Sequence, residues 1–337
     1  YTFNKNLLKI KKAIVMRLSN FAFLPPMDDI KKDLIQRMKK DFPEIEILVF
    51  EDESEVLENI HIVEAGYGWV APEAISKAKN LIWLANPDSG SFVNDSGKDG
   101  WFYKELIEHP VIVTNPRGIY FDYIGNHVMA YLLALSKRFP DFMEAQRKKE
   151  WDKNANRHKA IHLDEASVMI VGAGGIGQEV GRLCKAFKMK VIGVDPKFQT
   201  LDNFDEVIKP NKMIDFLSNI DFLVTTVMHT PETGNLFNLD LFKKMKPSSV
   251  FINVGRGKTT NLNDLVYSLE NNIISGAGLD VFDEEPLPKS HKLWSMPGVI
   301  ITPHVALLDA NEMITNRRYE IIKKNISLLN QGKELHN

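Results

Sequence analysis

The sequence predicts an α/β protein built from two doubly wound parallel sheets. Three observations carry that expectation. Short apolar runs of strand length alternate with helical patterns through the first third of the chain. The alternation gives way near Asp122 to a long helical pattern that is apolar on several faces. It then restarts at Val168 with a glycine-rich turn between a strand and a helix. A chain of 337 residues, 44% hydrophobic and 26% charged, is ordinary globular material and too long for one small core, so two domains are expected.

In the first third, strands are expected at residues 13–18, 45–50, 60–64, 80–85 and 111–114, with a helix over 28–41. Residues 87–100 are rich in Gly, Ser and Asp without periodicity, and a loop of that length is usually functional or unstructured. The helical pattern over 122–139 is expected to pack between layers, and a second helical stretch ends near Trp151. Six further strands are expected at 168–171, 191–194, 222–225, 250–253, 274–279 and 299–302. All but the last are followed by helix or turn signals, the pattern of a doubly wound sheet. Asp309 and Glu312 are placed as N-cap and N3 of a final helix ending near Gly332.

Lysine and arginine number 42 against 44 acidic residues, a net charge of −2, so no global field favours nucleic acid or an anionic membrane. The single cysteine, Cys184, excludes a disulfide framework within one chain and lies in an apolar helical stretch, where a thiol serves as a small hydrophobe. No apolar run reaches the roughly 18 residues of a membrane span, and no leader pattern is visible. A soluble, cytoplasmic protein is the expectation.

Gly172-Ala173-Gly174-Gly175-Ile176-Gly177 follows an apolar strand and opens a helix, the context that a dinucleotide-binding loop requires. Gly172 allows the tight turn, Gly174 the approach of a pyrophosphate to the backbone, and Gly177 the packing of helix on strand. The phosphates then meet free N–H groups at a helix start, where aligned peptide dipoles favour negative charge. Asp195 ends the next strand, close to the spacing of about 20 residues at which a carboxylate accepts bonds from ribose hydroxyls. A 2′-phosphate would be repelled there, so NAD is expected over NADP, with Lys197 softening the preference. FAD proteins share this loop, and the choice has to come from the rest of the chain.

Three further features close predicted strands: Asn253-Val254-Gly255-Arg256-Gly257, the segment from Asp280 to Glu285, and Thr302-Pro303-His304. In open parallel sheets ligands bind outside the carboxyl ends of the strands, so these residues can converge. Hydride delivered to a ketone carbon leaves negative charge on the oxygen, which needs an acid within reach; His304 suits that task. Glu285 would favour the imidazolium and fix its tautomer. Arg256 offers a planar fork for a carboxylate and can polarise the neighbouring carbonyl. Taken singly, each is more often an ordinary loop or turn residue, and their joint order on strand ends is what points to hydride transfer.

The chain resembles the D-isomer-specific 2-hydroxyacid dehydrogenase family. The resemblance rests on Thr230-Pro231-Glu232-Thr233-Gly234, Phe242-Lys243-Lys244-Met245-Lys246-Pro247, the Asn253–Gly257 phrase, Gly276-Ala277-Gly278-Leu279-Asp280-Val281, Glu285-Pro286-Leu287-Pro288 and Ile301-Thr302-Pro303-His304. It implies Arg256, Glu285 and His304 as the catalytic set, with NAD as cofactor. It also implies a nicotinamide contact from Asp280 and a cofactor site lined by Gly175, Ile176, Thr233 and the region of Val254. The implied architecture is a Rossmann cofactor domain (122–307) inserted into a flavodoxin-like substrate domain (1–121 and 308–337), assembled as a homodimer through the long helix region. The chain departs from the family in three places. Asn86-Pro87-Asp88-Ser89-Gly90-Ser91-Phe92 stands where a Gly-Val-Asp phrase is common, Leu307 where Gly is usual, and Asn126 where an acid usually precedes His127. Backbone N–H groups at Ser89, Gly90 and Ser91 are candidates to cradle a substrate carboxylate together with Arg256.

The expected activity is therefore interconversion of a small 2-keto acid and a D-2-hydroxy acid, in the manner of glyoxylate/hydroxypyruvate reductases or short phosphoglycerate dehydrogenases. Two alternatives stand beside it. One is a formate- or phosphite-dehydrogenase-like enzyme, although formate enzymes carry glutamine where Glu285 stands. The other is a cofactor-sensing binding protein of the corepressor type. The expected roles make a prediction about pH. Initial rates of keto-acid reduction should fall as pH rises and the imidazolium is lost, and Glu285→Gln should move that fall to lower pH. A profile unchanged by the substitution rejects the assigned roles.

Overall fold

The computed structural model describes residues 17–87, 103–153, 160–307 and 312–336. The chain divides into two compact units, Tyr1–Ile119 with Asp309–Asn337, and Tyr120–Leu308.

In the first unit, strands β1 (Asn20–Phe23), β2 (Glu46–Val49), β3 (Ala65–Tyr67), β4 (Trp83–Ala85) and β5 (Ile112–Thr114) form one parallel sheet in the order β2-β1-β3-β4-β5. Helices α1 (Asp29–Asp41), α2 (Glu53–Asn59), α3 (Pro72–Ile75) and α4 (Lys104–Glu108) alternate with them. The order 2-1-3-4-5 is that of a flavodoxin-like sheet. Local chemistry sets the helix starts. The Asp28 carboxylate accepts the Lys31 N–H at 2.7 Å, and Asp52 accepts the N–H groups of Ser54 and Glu55, satisfying donors that the first turn leaves without helical partners. One face of the sheet buries Phe21, Phe23 and Trp83 with Leu34 and Met38 of α1; the other packs Ala22 and Leu84 against Val56, Ile60 and Ile75.

The second unit begins with α5 (Phe121–Ser136) and α6 (Phe139–Arg147). It continues through β6 (Ser167–Val171), α7 (Gly175–Ala186), β7 (Lys190–Val194), β8 (Glu206–Ile208), β9 (Phe222–Thr225), α8 (Leu239–Phe242), β10 (Val250–Asn253), α9 (Leu262–Glu270), β11 (Gly276–Leu279) and β12 (Val299–Ile301). Its seven strands are all parallel, in the order β12-β11-β10-β9-β6-β7-β8, so the winding direction reverses between β6 and β9. That is a Rossmann arrangement, and the reversal is where ligands bind. One face is closed by Phe237 and Phe242 on Phe251, with ring centroids 5.1 and 5.3 Å apart. The other face carries α5 and α7, with Leu132, Val180 and Cys184 buried against Val168 and Phe222. The Cys184 sulfur lies 4.0 Å from that of Met129, and burial pushes its thiol pKa up to about 12.

The last helix, α10 (Glu312–Asn330), returns to the first unit. Tyr319, Ile322, Ile326 and Leu329 join the cluster around Phe21 and Trp83, and the Tyr319 hydroxyl donates to the Asp41 carboxylate at 2.9 Å.

Several boundaries differ from the sequence expectations. Arg17 and Leu18 precede the first described strand rather than belonging to it, since Phe21–Phe23 are the residues that fill the core; residues 13–16 lie outside the described residues. Residues 60–62 form a 3-10 turn instead of a strand, because Ile60 packs into the core from the end of α2 and the strand is made by Ala65–Tyr67. The pattern over 122–139 is interrupted at Lys137 and Arg138. Arg138 takes a left-handed backbone (φ 59°) and bonds Asp141 at 2.7 Å, and Pro140, which has no N–H to give α5, sits instead in the first turn of α6. A seventh strand, β8, was not expected; it is a three-residue edge strand with one buried residue, too short for any periodicity to show. The expected loop beyond Pro87 and the Asp309 cap lie outside the described residues.

Candidate active site

The glycine loop lies between β6 and α7, at the reversal point of the seven-stranded sheet. Gly172 has φ +94°, a left-handed conformation that makes the turn, and its carbonyl accepts the Thr226 hydroxyl at 2.7 Å. A Cβ on Gly177 would stand 2.1 Å from that same carbonyl, so the helix can start this close to the strand only as glycine. A Cβ on Gly175 would fall 2.0 Å from the Phe121 ring; the lack of a side chain there serves helix packing, a reason that the motif alone did not reveal. Gly174, the N-cap of α7, is different: a Cβ there would meet no protein atom within 4 Å. The space beside it, facing the unpaired N–H groups of the first helical turn, suits an anionic group such as a pyrophosphate. Ile176 is half-buried against the α5/α7 cluster.

Asp195 follows β7 and is only 8% exposed. One carboxylate oxygen accepts the Ala173 N–H at 3.1 Å and the other the Lys197 N–H at 2.8 Å. Each oxygen keeps further acceptor capacity, which fits a ribose diol and disfavours a phosphate. Thr233 closes its own loop, its hydroxyl donating to the Met228 carbonyl and accepting the Thr230 N–H, each at 2.7 Å. Val254 is buried and its N–H meets the Thr225 carbonyl at 3.2 Å.

The catalytic candidates leave the same sheet edge. His304 Nδ1 is 2.8 Å from Glu285 Oε2, and Glu285 Oε1 accepts the Phe282 N–H at 2.9 Å, so the carboxylate is anchored at one oxygen and holds the imidazole with the other. Nδ1 therefore carries the proton shared with Glu285. Nε2 meets no hydrogen-bond partner among the described residues and is the nitrogen available to a ligand. Arg256 is half-buried, and burial pulls its pKa below the usual arginine value while the nearby Glu285 carboxylate opposes the shift. Its carrier loop is held by Asn253, which sequence reasoning quoted in a motif but gave no role. The Asn253 amide donates to the Arg256 carbonyl at 3.1 Å and to the Thr260 hydroxyl at 3.0 Å, and its oxygen accepts the Gly255 N–H at 2.9 Å. The next residue, Gly257, lies so close to the Glu285 segment that a Cβ would stand 1.8 Å from the Phe282 carbonyl carbon. Arg256, Glu285 and His304 thus leave three neighbouring strand ends, the Arg256 and Glu285 loops in backbone contact and His304 joined to Glu285 through its side chain.

His304 has φ 55°, a left-handed conformation costing a non-glycine residue about 1–2 kcal/mol. Asp280 holds it there. Its carbonyl accepts the His304 N–H at 2.8 Å, and its carboxylate accepts the Val305 and Ala306 N–H groups at 2.8 and 2.9 Å. At 1% exposure, that carboxylate is wrapped by the histidine loop. Ser89, Gly90 and Ser91 lie outside the described residues. Tyr131 and His127, which both bond the Thr302 hydroxyl behind the site, and Thr302 itself were given no role, because a threonine in a motif and a tyrosine in an apolar helix carry no signal of contact.

A glycine loop at the reversal of a parallel sheet, with a carboxylate-held imidazole and a half-buried arginine on loops at the same sheet edge, defines a dinucleotide-binding α/β protein. The profile of the D-isomer specific 2-hydroxyacid dehydrogenase NAD binding domain matches residues 129–306. The chain is 34% identical over 260 residues to an uncharacterised protein of Corynebacterium melassecola, covering 74% of this chain and 82% of that one. It is 30% identical over 247 residues to the glyoxylate reductase/hydroxypyruvate reductase of Mus musculus, covering 69% and 75%. A solved D-isomer specific 2-hydroxyacid dehydrogenase family protein from Aeromonas salmonicida superposes with a TM-score of 0.76 at 26% identity, covering 94% of this chain and 97% of that one. The chain belongs to the D-isomer specific 2-hydroxyacid dehydrogenase family and is an oxidoreductase with an NAD-type cofactor.

Gly174 and Gly177 separate stability from binding. Gly174→Val should leave the melting temperature near the wild-type value while weakening NADH binding, because its side chain enters only the open cradle. Gly177→Ala should lower the melting temperature as well, because its Cβ meets backbone. Thermal melting and NADH fluorescence titration check both; unaltered NADH affinity in Gly174→Val rejects the cradle.

Proposed function

We propose that the chain reduces a small 2-keto acid to the D-2-hydroxy acid, or runs the reverse, with His304 as proton donor and acceptor and NAD(H) preferred over NADP(H). The observation that carries this reading is the 2.8 Å bond from His304 Nδ1 to Glu285, which leaves Nε2 without a hydrogen-bond partner among the described residues. Bound NADH supplies the hydride. The chain's own part is as follows. Arg256 receives the substrate carboxylate and polarises the neighbouring carbonyl. As the carbonyl carbon gains hydride, its oxygen takes the Nε2 proton of the imidazolium, and Glu285 keeps the ring oriented throughout. The neutral imidazole left behind recovers a proton from solvent, and oxidation of the alcohol runs through the same atoms in reverse. Gly172, Gly174, Gly177 and the start of α7 would hold the pyrophosphate, and Asp195 the adenosine ribose.

The family relationship supports this substrate class, as does Glu285 in the position where a formate enzyme places glutamine. In this reading the unit Tyr1–Ile119 with Asp309–Asn337 is the substrate domain. The test is NADH consumption with glyoxylate, hydroxypyruvate, pyruvate and larger 2-keto acids, with NADPH in parallel. Turnover of at least one acid is expected, and His304→Ala should lose about 10²- to 10⁴-fold of that rate. Inertness toward every acid, with NADH altering only the oligomeric state, would transfer the chain to the sensing class.

We further propose a homodimer. On α5 and α6, Leu133, Phe139, Phe142 and Met143 are 36–52% exposed, an apolar group that a second copy would cover. The near-neutral net charge offers no attraction to nucleic acid, no described helix is long and apolar enough to cross a membrane, and a single buried cysteine suits the reducing cytoplasm. Light scattering should give twice the chain mass for the wild type and the chain mass for a Phe139→Asp/Met143→Asp variant. A monomeric wild type rejects the dimer.

A further inference from the structure

The bonds around Asp280 continue away from the ligand face into α5. The Thr302 hydroxyl donates to Asp280 Oδ1 at 2.5 Å. Its one proton is thereby used, because a carboxylate only accepts, and the remaining capacity of the Thr302 oxygen is two acceptor sites. Both are filled from α5, by the Tyr131 hydroxyl at 2.5 Å and by His127 Nε2 at 3.1 Å. Tyr131 must then be the donor, and His127 must carry its proton on Nε2. The two rings stack edge to face with centroids 4.8 Å apart, which fixes their relation. The titratable groups facing Thr302 are therefore Asp280, Tyr131 and His127. Burial raises the Tyr131 pKa, with Asp280 adding to the rise and the Thr302 bond opposing it. Burial lowers that of His127 against the pull of Asp280. Both remain neutral donors, and the one anion of the group is Asp280.

We propose that Tyr131 is a positioning residue for the acid/base histidine, acting through a one-way chain from Tyr131 to Thr302 to Asp280 to the backbone of His304–Ala306. The inference rests on the reading of His304 as proton donor. Its physical content is that the left-handed backbone of His304 is held by an anion, and the anion is held by a neutral hydrogen-bond chain rooted in a helix. Each donor in such a chain polarises the next, so the bond at the far end depends on the first. Loosening the chain lets the His304 loop relax, and Nε2 leaves the place where the proton is needed. The glycine turn and Asp195, which would hold the pyrophosphate and ribose, share no bond with this chain.

The test compares Tyr131→Phe, Thr302→Val, Thr302→Ser and His304→Ala with the wild type, using NADH and the most rapidly reduced of glyoxylate, hydroxypyruvate and pyruvate. Tyr131→Phe should lower kcat about three- to tenfold, the size of one lost hydrogen bond, with little change in KM or NADH affinity. Thr302→Val leaves Tyr131 and His127 without their acceptor and should lower kcat by roughly 10- to 100-fold. Thr302→Ser, which restores the hydroxyl, should return to within about twofold of wild type. A residue that merely filled space would show the reverse order, with Val tolerated and Ser harmful. Should Thr302→Val melt below the assay temperature, Tyr131→Phe, which removes one oxygen, carries the test with Thr302→Ser. Wild-type kcat in Tyr131→Phe, alongside an inactive His304→Ala, overturns the positioning role and leaves the acid/base reading intact. An active His304→Ala overturns that reading and this inference with it.

Discussion

In a parallel sheet every strand delivers its carboxyl end to the same edge, and the second unit of this protein depends on that constraint. The seven strands from β6 to β12 run in one direction, so the loops after β6, β7, β10, β11 and β12 all emerge on one side. The groups they carry are the glycine turn, Asp195, Arg256, Asp280 with Glu285, and His304. These residues are separated by more than a third of the chain, and no local contact could collect them. The register of the ladder does so: Val250, Phe251 and Ile252 of β10 sit beside Gly276, Ala277 and Gly278 of β11, which places the Arg256 and Glu285 loops in contact just beyond the last pair.

Beyond the edge, backbone rather than side-chain contact fixes the fine geometry. Asn253 gathers the Arg256 loop through its amide, Asp280 gathers the His304 loop through its carboxylate, and Gly257 lets the first of these loops touch the chain beside Glu285. Two buried polar side chains, each satisfied by loop backbone, thus stand beneath the residues that would meet a substrate. A buried carboxylate with its donors in place is stable and directional, whereas the same group with one donor missing carries a desolvation cost of about 1–3 kcal/mol or more. The candidate groups above are more exposed, with the His304 side chain at 52% and Glu285 at 36%, as a site that must admit a ligand requires.

Much of this was legible in the sequence because it is written in residue types that have one physical use. The turn at Gly172 and the tight start at Gly177 follow from glycine's missing Cβ; the sheet class follows from alternation; Arg256, Glu285 and His304 follow from their positions after strands. What escaped notice has equally plain causes. Gly175 carries the Phe121 ring, a contact between residues far apart in sequence. The edge strand Glu206–Ile208 is too short to show a period, and residues 60–62 were apolar enough to pass for a strand while turning as a 3-10 helix. Thr302 and Tyr131 look like a motif filler and a core aromatic until their oxygens are seen 2.5 Å apart, because a hydrogen bond across 171 positions leaves no trace in either neighbourhood.

The lone cysteine has a practical meaning of a different kind. Cys184 is fully buried on the sheet-facing side of α7, and its thiol ionises only near the alkaline end of the scale. Reactivity toward alkylating probes and oxidants belongs to the thiolate at an accessible surface, so the native fold offers such reagents almost nothing. A cysteine introduced at any exposed position would be the sole reactive thiol, and fluorophores or spin labels could be attached there one per chain without first removing the native residue.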